Sequence, residues 1–380
     1  MAAAAAIEHI LVGDLWVLAG QSNMQGVGDL IDVEAPSPLV HSFDMADRWQ
    51  VAEEPLHWLF ESVDPVHWRD LTDPEERKRQ AEQQRQTRTK GAGLGLAFAN
   101  EMVRRTGVPV GLVPCAHGGT SMDQWDPALK DEGGSSLYGA MIRRVQAVGG
   151  PIKGVLWYQG ESDALGAPAD FAAKFEAFIP TLRSDAQQPD LPFYYVQIGR
   201  FVRDVDPSGW NTVQEAQRRA AETIAHTAMV ASVDLPLDDA IHISTAGLKR
   251  LGIRLAKIAC RDLFDQDGVT PGPRLKQVAL EEDHVLRVTF EGVNGHLAPA
   301  THIAGFSIHA ADGTKLPLFF EAMTDRDQPD CVLLKLTGEV PEGASLSYGQ
   351  GMDPYANLRD AQDMAVPVFG PVMLVAGGKE

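Results

Sequence analysis

Five short runs of unbroken apolar residues, each delivered into a turn rich in glycine or polar groups, constrain this chain more than any other feature. They are Leu15-Trp16-Val17-Leu18-Ala19, Pro109 to Val113, Gly154 to Tyr158, Phe193 to Ile198 and Met229 to Val233. Hydrophobicity without alternation suits strands buried on both faces, as in a parallel sheet. Helical patterns separate or follow the runs at Leu94 to Thr106, Ser136 to Val148, Asp170 to Arg183, Thr212 to Thr223 and Thr245 to Phe264. Strands alternating with helices predict a doubly wound α/β layer structure with five parallel strands. In such a sheet ligands bind at the carboxyl ends of the strands.

The pattern changes after Phe264. Gln266-Asp267-Gly268-Val269-Thr270-Pro271-Gly272-Pro273 is rich in breakers and reads as a linker. Short strand-like segments follow at Val285 to Phe290, Gly305 to His309, Val332 to Leu336, Ser345 to Tyr348 and Pro367 to Val375, which predict an all-β sandwich. The expected division is therefore 1–265 for the α/β part and 274–380 for the β part. A polar insertion spans roughly residues 60–92, densest in charge from Asp73 to Lys90. It reads as a solvated helix, with a flap over the site as the alternative.

With 380 residues, 44% of them hydrophobic, the chain can bury a large core. Its 33 basic and 52 acidic residues give a net charge of −19, which argues against a duplex-nucleic-acid or anionic-membrane partner. No apolar run approaches the ~20 residues of a membrane span. Three scattered cysteines (Cys115, Cys260, Cys331) do not make a disulfide framework or a zinc site, and Cys115 reads as an apolar filler. Met1 and the five alanines after it lack a basic n-region, so no signal peptide is read. A trimmed leader would place the natural protein outside the cytoplasm, and the compartment and the oligomeric state both stay open.

The turn after the first run, Gly20-Gln21-Ser22-Asn23-Met24, puts a serine at the ligand edge, where it can serve as a nucleophile or simply cap a helix. A serine needs a base, and the base an orienting acid. Asp239-Ala240-Ile241-His242, just past the fifth run, supplies a carboxylate three residues before a histidine, close enough to reach the ring within one local turn. Oxyanion donors are offered after the second run by Gly118-Gly119-Thr120-Ser121, and after the third by Gln159 in Gln159-Gly160-Glu161-Ser162-Asp163. Nucleophile, glycine donor and amide donor at three successive strand ends, then an Asp/His pair after the last strand, are what acyl transfer requires.

In this combination the chain resembles the SGNH hydrolase superfamily, and within it the sialate O-acetylesterases and acetylxylan esterases of carbohydrate esterase family six. Four blocks carry the resemblance in order over roughly residues 12–262: Gly20 to Met24, Gly118 to Ser121, Trp157 to Glu161, and Asp239-x-x-His242. Arg48 to His57 and Gly93 to Ala99 are also similar to that branch, and Leu346 to Gly349 with Asp353 to Leu358 are more loosely similar to its C-terminal part. The resemblance implies a flavodoxin-like three-layer sandwich around a five-stranded parallel sheet, followed by a smaller all-β sandwich. It also implies a serine esterase that removes O-acetyl groups from a carbohydrate through an acyl-enzyme, with no cofactor and no metal.

Carried over, Ser22 is the nucleophile, His242 the base and Asp239 its acid. The N–H groups of Ser22 and Gly119 and the Gln159 amide form the oxyanion hole, with Gly118 as a further donor, while Asn23 and Thr120 brace the loops. Glu161 is the alternative acid or a substrate-positioning group. Trp125, more than Trp157 or Tyr158, is the expected sugar platform. His117 lacks a second ligand at metal spacing. There is no Gly-x-Ser-x-Gly elbow, and Gly91 to Gly95 has the wrong spacing for a dinucleotide loop. Other readings are a carbohydrate-binding protein on the same fold and a short-chain lipase or thioesterase. Loss of turnover on Ser22→Ala separates the first from an enzyme, and acyl-chain preference separates the second.

Overall fold

The computed structural model describes residues 10–68, 71–265, 269–281 and 284–374. Met1 to His9, residues 266–268 of the expected linker and Val375 at the end of the last expected strand lie outside the described residues.

The five apolar runs form β1 (Asp14–Gly20), β4 (Val110–Pro114), β5 (Gly154–Tyr158), β6 (Phe193–Gln197) and β7 (Thr227–Ala231). They lie in the order β4-β1-β5-β6-β7, all parallel. The sheet has seven strands rather than five. β2 (Val40–Phe43) pairs parallel with β4, and β3 (Trp49–Val51) closes that edge antiparallel to β2. Both additions are short, and every residue of β3 is exposed, so neither carries the continuous apolar signature of a central strand.

Helices cover both faces. Phe98 of α3 (Gly95–Thr106) meets the Trp16 ring edge-on at 4.7 Å, and Phe178 of α6 (Pro168–Asp185) packs on Trp157 at 4.8 Å from the other side. α8 (Thr245–Phe264) starts at Ser244, whose hydroxyl accepts from the Gly247 N–H and satisfies one of the helix's free donors. It buries Leu248, Leu251, Leu255 and Ile258, each contributing about 1.5–3 kcal/mol. A Cβ on Gly252 would collide with the Leu94 carbonyl and the Phe98 N–H, so only glycine lets α8 lie this close to α3.

The charged stretch forms the helix α2 (Pro74–Thr87), capped by Asp73. Arg85 bonds Glu61 at 2.5 Å, and the Arg77 guanidinium lies 3.8 Å over the Trp68 ring, so the helix is pinned to the segment before it. Cys115, Cys260 and Cys331 are buried and unbridged, and burial pushes the Cys115 and Cys260 thiols up to about 11.

The C-terminal part consists of two antiparallel four-stranded sheets with two short two-residue strands beside them. One sheet orders Arg274–Glu281, Val285–Glu291, Cys331–Leu336 and Phe319–Thr324; the other orders Lys315–Leu316, Phe306–His309, Ser345–Tyr348 and Phe369–Met373. Their core is Leu286, Val288, Phe290, Val332, Leu334, Leu346, Tyr348 and Phe369. Arg274–Glu281 and Phe319–Thr324 lack clean alternation because they are outer strands with little buried surface. This part is fastened to the α/β part by Gln197, whose side chain exchanges two hydrogen bonds with the Val368 backbone. Buried Arg254 adds a second tie by bridging Asp234 and the Asp363 carbonyl.

Candidate active site

Four strand ends supply the site. β1 ends at Gly20, whose φ of +129° is open to glycine, and a Cβ there would strike the Tyr158 carbonyl. The backbone then turns into the one-turn helix α1 (Ser22–Gln25), with Ser22 first and partly exposed. Neighbouring loops are stitched to this turn: the Gln21 N–H donates to Tyr158 O at 2.8 Å, and the His117 N–H to Gly20 O at 3.0 Å. A Cβ on Gly118 would lie 3.4 Å from the Ser22 Cβ, so the glycine loop passes directly over the serine.

The loop after β7 brings Asp239 and His242 together. Asp239 Oδ2 lies 2.8 Å from His242 Nδ1, and Asp239 Oδ1 accepts the Ile241 and His242 N–H groups at 3.0 and 2.9 Å. Partial burial works against the charged carboxylate, but these backbone and ring hydrogen bonds outweigh it and hold Asp239 well below the usual carboxylate range. Lys90 Nζ stands 3.4 Å from Asp239 and from Asp29, so the polar insertion reaches the site through this residue. Asp238 ties the loop down by accepting from the Asp29 and Thr245 N–H groups.

Ser22 makes no hydrogen bond to His242 among the described residues. What relates them is Asn23. Its Oδ1 accepts the Ile243 N–H at 3.0 Å, joining the residue after the serine to the residue after the histidine. Catalytic hydrogen bonds are often long in unliganded enzymes and tighten with substrate.

Three expected roles change. Gln159 is completely buried, and its Nε2 already donates to Thr120 O at 3.0 Å and to Asp163 Oδ2 at 2.5 Å. Both its protons are committed, so it holds the glycine loop in place instead of facing an oxyanion. The Gly118 N–H is likewise taken, by Gln25 Oε1 at 2.7 Å. Gly119, exposed and at φ +71°, keeps an N–H with no partner among the described residues. Trp125 is no sugar platform. It is fully buried, stacks edge-on to Trp157 at 5.2 Å and donates from Nε1 to Thr120 Oγ1. Trp157 and Tyr158 are buried too. Thr120 does brace its loop, donating to His117 O at 2.8 Å.

Glu161 is enclosed, and its Oε1 accepts from Asn23 Nδ2 at 2.9 Å; the carboxylate at the His242 ring is that of Asp239. Burial pushes Glu161 up to about 7. Sequence reasoning did not single out Gln25 and Asp238. Both are polar residues flanking the blocks, and their contacts cross 93 and 209 residues of chain. A cleft of ≈ 200 Å³ opens beside the glycine loop, with His117, Thr120, Asp123, Gln124, Glu132 and Ser135 in its wall. Its wall carries two carboxylates and no lysine or arginine; Lys174 pairs with Asp123 from outside the lining at 2.7 Å. A larger cavity of ≈ 500 Å³ lies at the opposite, amino-terminal end of the strands, lined by Ile10, Trp49 and Gly111.

The family model described as "Carbohydrate esterase, sialic acid-specific acetylesterase" matches residues 12–261. A probable carbohydrate esterase of Arabidopsis thaliana is 31% identical over 267 residues, covering 64% of this chain and 88% of that protein. Among solved structures, a carbohydrate acetylesterase from Xanthomonas citri superposes with a TM-score of 0.69 at 24% identity, covering 94% of this chain and 80% of the other. That likeness extends through the C-terminal sheets and concerns the fold. An Arabidopsis thaliana protein superposes with a TM-score of 0.51 at 30% identity, covering 66% of this chain and 98% of the other.

Proposed function

Since this chain belongs to the carbohydrate esterase, sialic acid-specific acetylesterase family, and so is a carboxylic ester hydrolase acting on carbohydrates, we propose that it removes O-acetyl groups through Ser22, His242 and Asp239. The observation that carries the reading is the 2.8 Å contact from Asp239 to His242 Nδ1, on a loop bonded to the residue beside Ser22.

In the reaction, His242 Nε2 takes the Ser22 proton as Oγ attacks the acetyl carbonyl. Asp239 fixes the ring with Nδ1 protonated and stabilises the imidazolium. The tetrahedral oxyanion meets the Ser22 and Gly119 N–H groups. Its collapse breaks the bond to the sugar oxygen, which takes the proton from His242. Water then attacks the acetyl-Ser22 ester with His242 again as base, releasing acetate and restoring the serine.

The sugar that carries the acetyl group is a second level of the same reading, decided between a neutral glycan and a sialate by the rate of acetate release. Acetate release by wild type and Ser22→Ala, on a chromogenic acetate and on a panel of acetylated xylo-oligosaccharide and O-acetylated sialic acid, tests both levels. Turnover that survives in Ser22→Ala overturns the nucleophile. The carbohydrate from which acetate is released faster identifies the sugar class.

A further inference from the structure

The Asn23 side chain joins the serine turn to the histidine loop and to a buried carboxylate. Its amide has two ends with opposite hydrogen-bonding character. Oδ1 receives the Ile243 N–H at 3.0 Å, and Nδ2 donates to Glu161 Oε1 at 2.9 Å. Both partners are buried. An amide held at one end only can rotate or turn over, and a turned amide would aim Nδ2 at the Ile243 N–H, donor against donor. The acceptor on Glu161 forbids that turn.

We infer that Glu161 is a positioning residue: by fixing which end of the Asn23 amide faces Ile243, it sets the spacing between the serine turn and the histidine loop. This rests on Ser22 and His242 being the nucleophile and base. It gives Glu161 a task distinct from that of the triad acid, which Asp239 performs at the ring itself.

Two features fit this role. Glu161 Oε2 is buried with no hydrogen-bond partner among the described residues, an unfavourable arrangement that is kept in native structures where something else is gained. Glu161 also opens the helix α5 (Glu161–Leu165) shortly after β5, so its backbone is anchored beside β1, the adjacent strand whose end leads into Ser22. The clamp therefore refers both loops to one rigid edge. Misplacing reacting groups by about 1 Å costs about 10²-fold in rate, which sets the size of the effect to look for.

The test compares Glu161→Gln, which keeps an oxygen for Asn23, with Glu161→Leu and Asn23→Ala, which do not, and with the double variant Asn23→Ala/Glu161→Leu. On a chromogenic acetate, Glu161→Gln should keep kcat within about 3-fold of wild type. Glu161→Leu and Asn23→Ala should each lose about 10²-fold in kcat with KM little changed, and the double variant should lose no more than either. A Glu161→Gln as inactive as Asp239→Asn would make Glu161 the triad acid and overturn the inference. Full activity in Asn23→Ala, or losses that multiply in the double variant, would overturn it as well. Should the leucine variant fail to fold by circular dichroism, the glutamine and Asn23→Ala variants decide alone. Ser22→Ala run alongside separates the two levels: if it is inactive while the clamp variants are normal, only the clamp falls, and if it is active, the nucleophile assignment falls first.

Discussion

Asp239 holds His242 and the residue before it through three contacts: Oδ2 at 2.8 Å from the His242 ring Nδ1, and Oδ1 on both the His242 and the Ile241 N–H. Asp239 thus holds the backbone at His242 as well as the ring. Asp239→Asn keeps the shape but can present a donor where the ring needs an acceptor. We expect kcat to fall by about 10³–10⁴ with near-native melting, measured on a chromogenic acetate. Turnover within tenfold of wild type would remove Asp239 from the proposed triad.

Gly20 is the position where the nucleophile turn tolerates no side chain, because φ is +129° and the Tyr158 carbonyl occupies the space of a Cβ. Gly20→Ala must shift β1 or β5, and strain of this kind costs about 1–3 kcal/mol. A lowered melting temperature and a loss of kcat should appear together, read by calorimetry and by ester hydrolysis on one preparation.

Trp125 is a core residue that supports the glycine loop through Thr120. Trp125→Phe loses that hydrogen bond and part of its contact with Trp157, for about 1–3 kcal/mol of stability. The KM for an acetylated oligosaccharide, taken relative to that for a small acetate, should stay as in wild type. A selective rise in the oligosaccharide KM would show that the ring meets sugar after all.

Burial pushes both Glu54 and Glu161 up to about 7 from an ordinary 4.5. The folded protein therefore holds protons that the unfolded chain releases between those values. This contribution is fully present below 4.5 and is lost as pH rises through about 7, so it makes stability fall with pH. Glu161→Gln removes one of the two groups. Its stability relative to wild type should rise between about pH 5 and 8, by about 3 kcal/mol at full displacement. A difference that is flat with pH, or that falls, would show that Glu161 ionises normally in the folded state.

The central strands could be read from the chain because a strand buried on both faces must be apolar throughout. The two strands at the sheet edge could not be read, since Trp49–Val51 is exposed and pairs on one side only. The same asymmetry holds in the site. The Asp239–His242 contact is local, three residues apart, and spacing sufficed to anticipate it.

The sequence by itself determined which strands form the middle of the sheet, which turns leave it, and that an acid stands within reach of a histidine. These follow from patterns a few residues long. Only the tertiary structure decided that Gln159 spends its amide on Thr120 and Asp163, that Trp125 is enclosed, and that Asn23 joins Glu161 to Ile243. A side chain's partners there come from residues 138 and 220 positions away, and which of its hydrogen bonds remain for substrate depends on packing that no local pattern encodes.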